Sequence, residues 1–208
     1  MTDDADARLH RVRAVRAELH AAGPKRSRPF DRDFERVALP AADADHLRDL
    51  LIAHGAHTVI EVGLAYGSSA LAIAEALCSN GTTDVSHIVI DPFQATSYGN
   101  VGWDAMNAAG LTGYTTFIGE PSSVALARLA ADSVTVDAAF VDGSHRFHEV
   151  FVDLYFLRKL VRPGGLRSPR RMSISSSGTS VFPLPGSRRF AGISRAPSER
   201  RGPRVTTR

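Results

Sequence analysis

The chain has 208 residues, 43% hydrophobic and 23% charged, a composition ordinary for one globular domain with a full core. Its single cysteine, Cys78, excludes a disulfide framework and makes a reducing cytoplasm the default location. No apolar run approaches the roughly 20 residues that span a bilayer, and the acidic start, Met1 to Asp6, is unlike a signal peptide. The net charge of +3 is unevenly distributed: residues 166–208 hold ten arginines against Glu199, a net +9, so residues 1–165 carry −6.

In chain order, residues 5–22 have Leu9, Val12, Val15 and Leu19 near one face among several arginines, and read as a helix with a solvated charged face, ended by Gly23-Pro24. Residues 24–40 read as a polar connector, and a second helix runs from about Asp43 through Leu47, Leu50 and Leu51 to Gly55. Thr58-Val59-Ile60-Glu61-Val62 is then a short β-branched run, the pattern of a strand covered on both faces. Gly63-Leu64-Ala65-Tyr66-Gly67 follows as a turn, and Ser68 or Ser69 caps a helix that continues through Leu71, Ile73 and Leu77. The free N–H groups at such a helix start suit a carboxylate or phosphate.

Further strands are expected at His87–Asp91, Tyr114–Ile118 and Val136–Asp142, with helices over residues 103–110, 122–131 and 146–161 between and after them. Strands alternating with helices at these lengths imply parallel βαβ units: an α/β, Rossmann-like open sheet with helices on both faces. Ligands in such sheets sit beyond the carboxyl ends of the strands. Glu61, Gly63, Asp91, Glu120, Asp142 and His145 all fall at those ends. Asp91 lies 24 residues past Gly67, close to the spacing at which an acid reaches ribose hydroxyls; a turn aspartate before Pro92 is the simpler alternative. A dinucleotide fingerprint would need glycine where Ala65 stands, which makes a nicotinamide enzyme the weakest reading.

Glu61-x-Gly63-x-x-x-Gly67, Asp142-Gly143-Ser144-His145, Asp153 and Pro163-Gly164-Gly165 together resemble the small bacterial class I S-adenosylmethionine-dependent methyltransferases grouped with O-methyltransferases, over about residues 41–165. The resemblance implies that Glu61, Gly63, Gly67 and Ser69 hold the methionine end of S-adenosylmethionine and that Asp91 takes the ribose. Glu120 would lie near the adenine, and Asp142 would face the transferred methyl group. His145 is the candidate general base, since an imidazole titrates near neutral pH; a hydrogen-bonded capping histidine is the alternative. Metal-dependent relatives such as catechol O-methyltransferase share Mg²⁺ between the acid at the Asp142 position and an Asp-Asn pair after the fifth strand. That pair is missing from this sequence, so no metal is expected.

After Gly165 the resemblance stops. The family continues into an apolar fifth strand, whereas residues 166–208 are rich in Arg, Ser and Pro without periodicity. The expected organisation is therefore an N-terminal helical extension and connector (1–40), a methyltransferase-like domain (41–165), and a disordered or frameshifted tail (166–208) in place of the C-terminal strands. A shift of one base through Leu166 to Met172 permits an apolar strand ending in acids. A chain lacking that strand would be marginal and aggregation-prone. The leading function is S-adenosylmethionine-dependent O-methylation of a small molecule; the alternatives are a cofactor-binding but catalytically impaired remnant and nucleic-acid binding through the basic tail. No membrane partner is expected, and oligomeric state cannot be read from the sequence.

Overall fold

The computed structural model describes residues 2–24, 33–81, 85–144 and 146–169. Helices α1 (Thr2–Ala22), α2 (Phe34–Val37) and α3 (Ala41–Ala53) lead into β1 (Thr58–Val62), and α4 (Ser68–Ser79) connects to β2 (Ser86–Ile90). α5 (Val101–Ala108), β3 (Thr115–Ile118), α6 (Ser122–Ala131), β4 (Val136–Val141), α7 (Phe147–Leu160) and β5 (Val161–Pro169) complete the order. The strands form one parallel sheet in the order β3-β2-β1-β4-β5. The chain reverses its direction of travel between β1 and β4, and their carboxyl ends therefore open the crevice at which ligands bind in such sheets.

Strand residues alternate between two cores. Ile60, Val62, Ile90, Ala139 and Val141 pack with Leu126 of α6 and Leu157 and Leu160 of α7. On the opposite face, Val59, Ala138 and Phe140 meet α3 and α4, while Val89 joins Val12 and Leu19 of α1 and Met106 of α5. α4 is buried from Ser68 to Leu77. Its alanines at 70, 72, 74 and 76 allow the sheet to pack on one side and α1 and α3 on the other.

The arginines of α1 were expected in solvent, and one of them is not. Arg16 is buried, with its guanidinium 2.6 Å from Glu75 Oε2 and 2.7 Å from Asp45 Oδ1. Arg13 adds a 2.9 Å bond to Glu75 Oε1. A charged side chain enters a core only when its partners enter with it, and the acids that accept Arg16 come from α3 and α4.

The expected loss of the fifth strand is also corrected. β5 pairs with β4, setting Leu166 beside Ala138 and Arg167 beside Ala139. The ladder uses backbone groups, which an Arg- and Ser-rich sequence supplies as well as an apolar one, and Leu166 packs against the core. Pro163-Gly164-Gly165 does not end the sheet but forms an irregularity within β5: Gly164 has φ +81°, and a Cβ on Gly165 would lie 2.5 Å from the Asp137 carbonyl. Residues 170–208, the rest of the expected tail, lie outside the described residues.

At the amino end of the sheet Asp137 binds three strands together. Its carboxylate accepts from the amides of His57 (2.8 Å) and Thr58 (2.9 Å), the Thr58 hydroxyl (3.1 Å) and Arg162 Nε (2.6 Å). Burial alone would raise the pKa, but Arg162 and the His57 and Thr58 donors outweigh it and hold the carboxyl well below the usual range. Because the folded-state pKa is depressed, this stability is present above the unfolded value of about 4 and is lost as pH falls. Asp137→Asn should cost about 2–3 kcal/mol near neutral pH. In urea titrations the gap between variant and wild type should shrink on acidification; a gap independent of pH would contradict this role.

Candidate active site

The turn after β1 is shaped by close backbone approach. Gly63 has φ +95°, and a Cβ there would lie 2.6 Å from the Asp142 carbonyl oxygen and 2.7 Å from Gly143 Cα. The ends of β1 and β4 can come this near only because residue 63 has no side chain. Gly67 (φ +86°) is the residue before α4, and the backbone of Gly102 at the start of α5 lies against it. Between them Ala65 has φ +45°, a left-handed conformation uncommon for a residue with a Cβ.

Asp91 at the end of β2 supports this turn from within. Its Oδ2 accepts from the amides of Leu64 and Ala65, each at 3.0 Å, and from Gln94 Nε2 at 2.9 Å; Oδ1 accepts from the Phe93 amide at 2.7 Å. Gln94 Nε2 also reaches the Ala65 carbonyl at 2.8 Å. The carboxylate is 4% exposed, and a single-bonded Oδ1 retains acceptor capacity.

Glu61 is 0% exposed, so it lies beneath the turn and not on its surface. Ser69 Oγ, in the first turn of α4, donates to its Oε1 at 2.5 Å. Ser69 is likewise buried, and the neighbouring Ser68 Oγ accepts from the Leu39 amide at 2.8 Å. Glu120 stands after β3, half exposed and paired with Arg128 of α6 at 2.9 Å. Asp142 is half buried beside Gly63, with its amide donating to the Val62 carbonyl at 2.8 Å. His145, the expected base, lies outside the described residues. Among the described residues no three His, Cys, Asp or Glu side chains form a group that could hold a metal ion.

Two residues here were not singled out in the sequence. Tyr98 packs edge-on against Tyr66, which in turn packs against Phe34 of α2. Burial raises the Tyr98 phenol pKa, and the charges of Asp91, Asp142 and Asp33 raise it further, so the hydroxyl remains a donor facing acids. Phe93, two residues past Asp91, is 58% exposed, unusual for a ring so close to a strand end. An aromatic residue two positions after a strand-terminal acid was the only available signal for Phe93. Tyr98 lies in a turn with no periodicity to mark it.

A family model described as a methyltransferase domain matches residues 60–167, just over half of the chain. The chain belongs to the methyltransferase domain family. No curated protein matches it. Among solved structures, this methyltransferase-family chain is similar to an O-methyltransferase from Bacillus cereus in complex with SAH, with 16% identity, a TM-score of 0.56, and coverage of 78% of this chain and 65% of that one. It is also similar to the O-methyltransferase TomG from Streptomyces achromogenes, involved in tomaymycin synthesis and solved with SAM, with 18% identity, a TM-score of 0.53, and coverage of 75% and 70%. An SAH-bound methyltransferase from Podospora anserina gives 15%, 0.54, 79% and 62% in the same terms. At these identities the likeness shows the fold, and the chain spans about two thirds of the length of these structures.

Proposed function

We propose that this chain is an S-adenosylmethionine-dependent methyltransferase acting on an oxygen of a small molecule. The observation that carries the reading is the Gly63–Gly67 turn, braced by Asp91 and drawn close to Asp142 at the carboxyl ends of β1 and β4, where the sheet opens its crevice. The acids beside that turn suit a ligand with hydroxyls and positive charge. The SAM- and SAH-bound structures of similar fold agree with this choice of cofactor.

When bound, S-adenosylmethionine supplies an electrophilic methyl group on a positively charged sulfur. Asp142, half buried, favours positive charge beside Gly63. Asp91 holds the turn in shape through Leu64 and Ala65 and offers Oδ1 to a ribose hydroxyl. Glu61 and Ser69 act from below, bracing the start of α4. Glu120 flanks the adenine side, and His145 takes the proton of the acceptor hydroxyl. No helix among the described residues is long and apolar enough to cross a membrane; a cytoplasmic location is our reading of the cysteine usage.

Asp91→Ala should weaken binding of S-adenosylhomocysteine by about ten- to a hundredfold, the effect of removing hydrogen bonds to a charged group. Unchanged affinity by titration calorimetry would remove Asp91 from the site. His145→Ala should lower turnover more than cofactor affinity, whereas equal loss of both would mark a structural histidine.

A further inference from the structure

The reading above leaves His87 among the buried titratable side chains without a role. His87 lies on β2, 2% exposed, on the face of the sheet that α4 covers. A polar ring in that position costs free energy unless something engages it. Its Nε2 is 3.1 Å from Glu61 Oε2 on the adjacent strand. The contact falls outside hydrogen-bond geometry, and neither atom, nor His87 Nδ1, has a hydrogen-bond partner among the described residues. The ring otherwise borders a cavity of about 10 Å³ lined mainly by apolar side chains, including Ala74, Leu77, Val85 and Leu111. Glu61 is thus flanked on two sides, hydrogen-bonded to Ser69 of α4 through one oxygen and faced by His87 Nε2 at 3.1 Å from the other.

We infer that His87 is a positioning residue for the cofactor turn, acting through Glu61. The inference rests on the S-adenosylmethionine reading of that turn. A buried carboxylate gripped on one side only would turn toward the nearest free donors. The start of α4, where Ser69 lies, carries the N–H groups that a helix leaves unpaired, and the turn must leave these for its ligand. His87 prevents this competition by standing against Oε2 at 3.1 Å, and so keeps Ser69 and the first turn of α4 in register with Gly63–Gly67.

Titration calorimetry with S-adenosylhomocysteine, alongside thermal melts, tests this on wild type, His87→Leu, His87→Gln, Glu61→Gln and the Glu61→Gln/His87→Leu double variant. His87→Leu should weaken binding about tenfold or more, while His87→Gln, whose amide presents a polar N–H to Glu61, should stay within about threefold. With Glu61 already replaced, His87→Leu should add no further loss, since the coupling runs through that residue. If His87→Leu does not fold, His87→Asn, polar but too short to reach Glu61, carries the comparison and should bind as weakly as predicted for leucine. Wild-type affinity in the Leu or Asn variant, equal losses in Gln and Leu, or a full additive loss in the double variant would overturn the inference. Failure of the wild type to bind would instead overturn the cofactor reading on which it rests.

Discussion

Gly63→Ala should abolish measurable cofactor binding and destabilise the chain by about 3–5 kcal/mol, combining backbone strain with overpacking. Two effects coincide at this residue. Its φ of +95° is unfavourable for any L side chain, and the added carbon would meet the Asp142 and Gly143 backbone at 2.6–2.7 Å. Backbone on the far side cannot rotate away as a side-chain tip can, so β1 and β4 must separate at the crevice. Gly55→Ala is the control: its φ is +62° but nothing lies within 4 Å, so strain alone should cost about 1 kcal/mol. Gly113→Ala, with open space and no such φ, should be near neutral. Urea unfolding of the three variants measures the ordering. Equal losses at residues 63 and 55 would mean that the approach of β1 to β4 is not under steric control.

The second large effect is expected at Glu75, far from the crevice. Glu75→Ala should cost about 3–5 kcal/mol, because Arg16 would remain buried without its principal partner. Arg16 is 6% and Glu75 4% exposed, so water cannot replace the lost contact. Asp45→Ala should cost less, about 1 kcal/mol, since its side chain is 49% exposed and surface pairs contribute little. Replacing the pair together, as Arg16→Met with Glu75→Leu, should recover much of the loss by removing the uncompensated charge. Denaturant titration tests this set. A double variant no more stable than Glu75→Ala would indicate that the helices depend on ionic contact and not on packing.

Periodicity carried most of the fold. β1, β2, β4 and α4 lie within a residue or two of where alternation and helical spacing set them, because each buries a face that the sequence must keep apolar. β5 was not legible, since its partner is the backbone of β4 and no side-chain pattern announces a ladder joined through main-chain groups. Arg16 was misread for a related reason: the acids that make its burial tolerable, Asp45 and Glu75, are 29 and 59 residues away. At the crevice, the glycines and Asp91 could be recognised by type and spacing. That Asp91 spends two hydrogen bonds on the turn itself could not, because Leu64 and Ala65 approach it only after β1 and β2 pair. Ala65 shows the limit of motif reading: absence of glycine argued against a dinucleotide turn, yet the alanine adopts a positive φ all the same.

The most direct test of the central claim is calorimetric titration of the 208-residue chain with S-adenosylhomocysteine, with NAD as the comparison ligand. The Gly63–Gly67 turn, the acid at Asp142 and the braced start of α4 predict one binding event per chain for S-adenosylhomocysteine and none for NAD. A folded chain, shown by a cooperative melt, that gives no heat with S-adenosylhomocysteine, or that binds NAD in its place, would contradict the account.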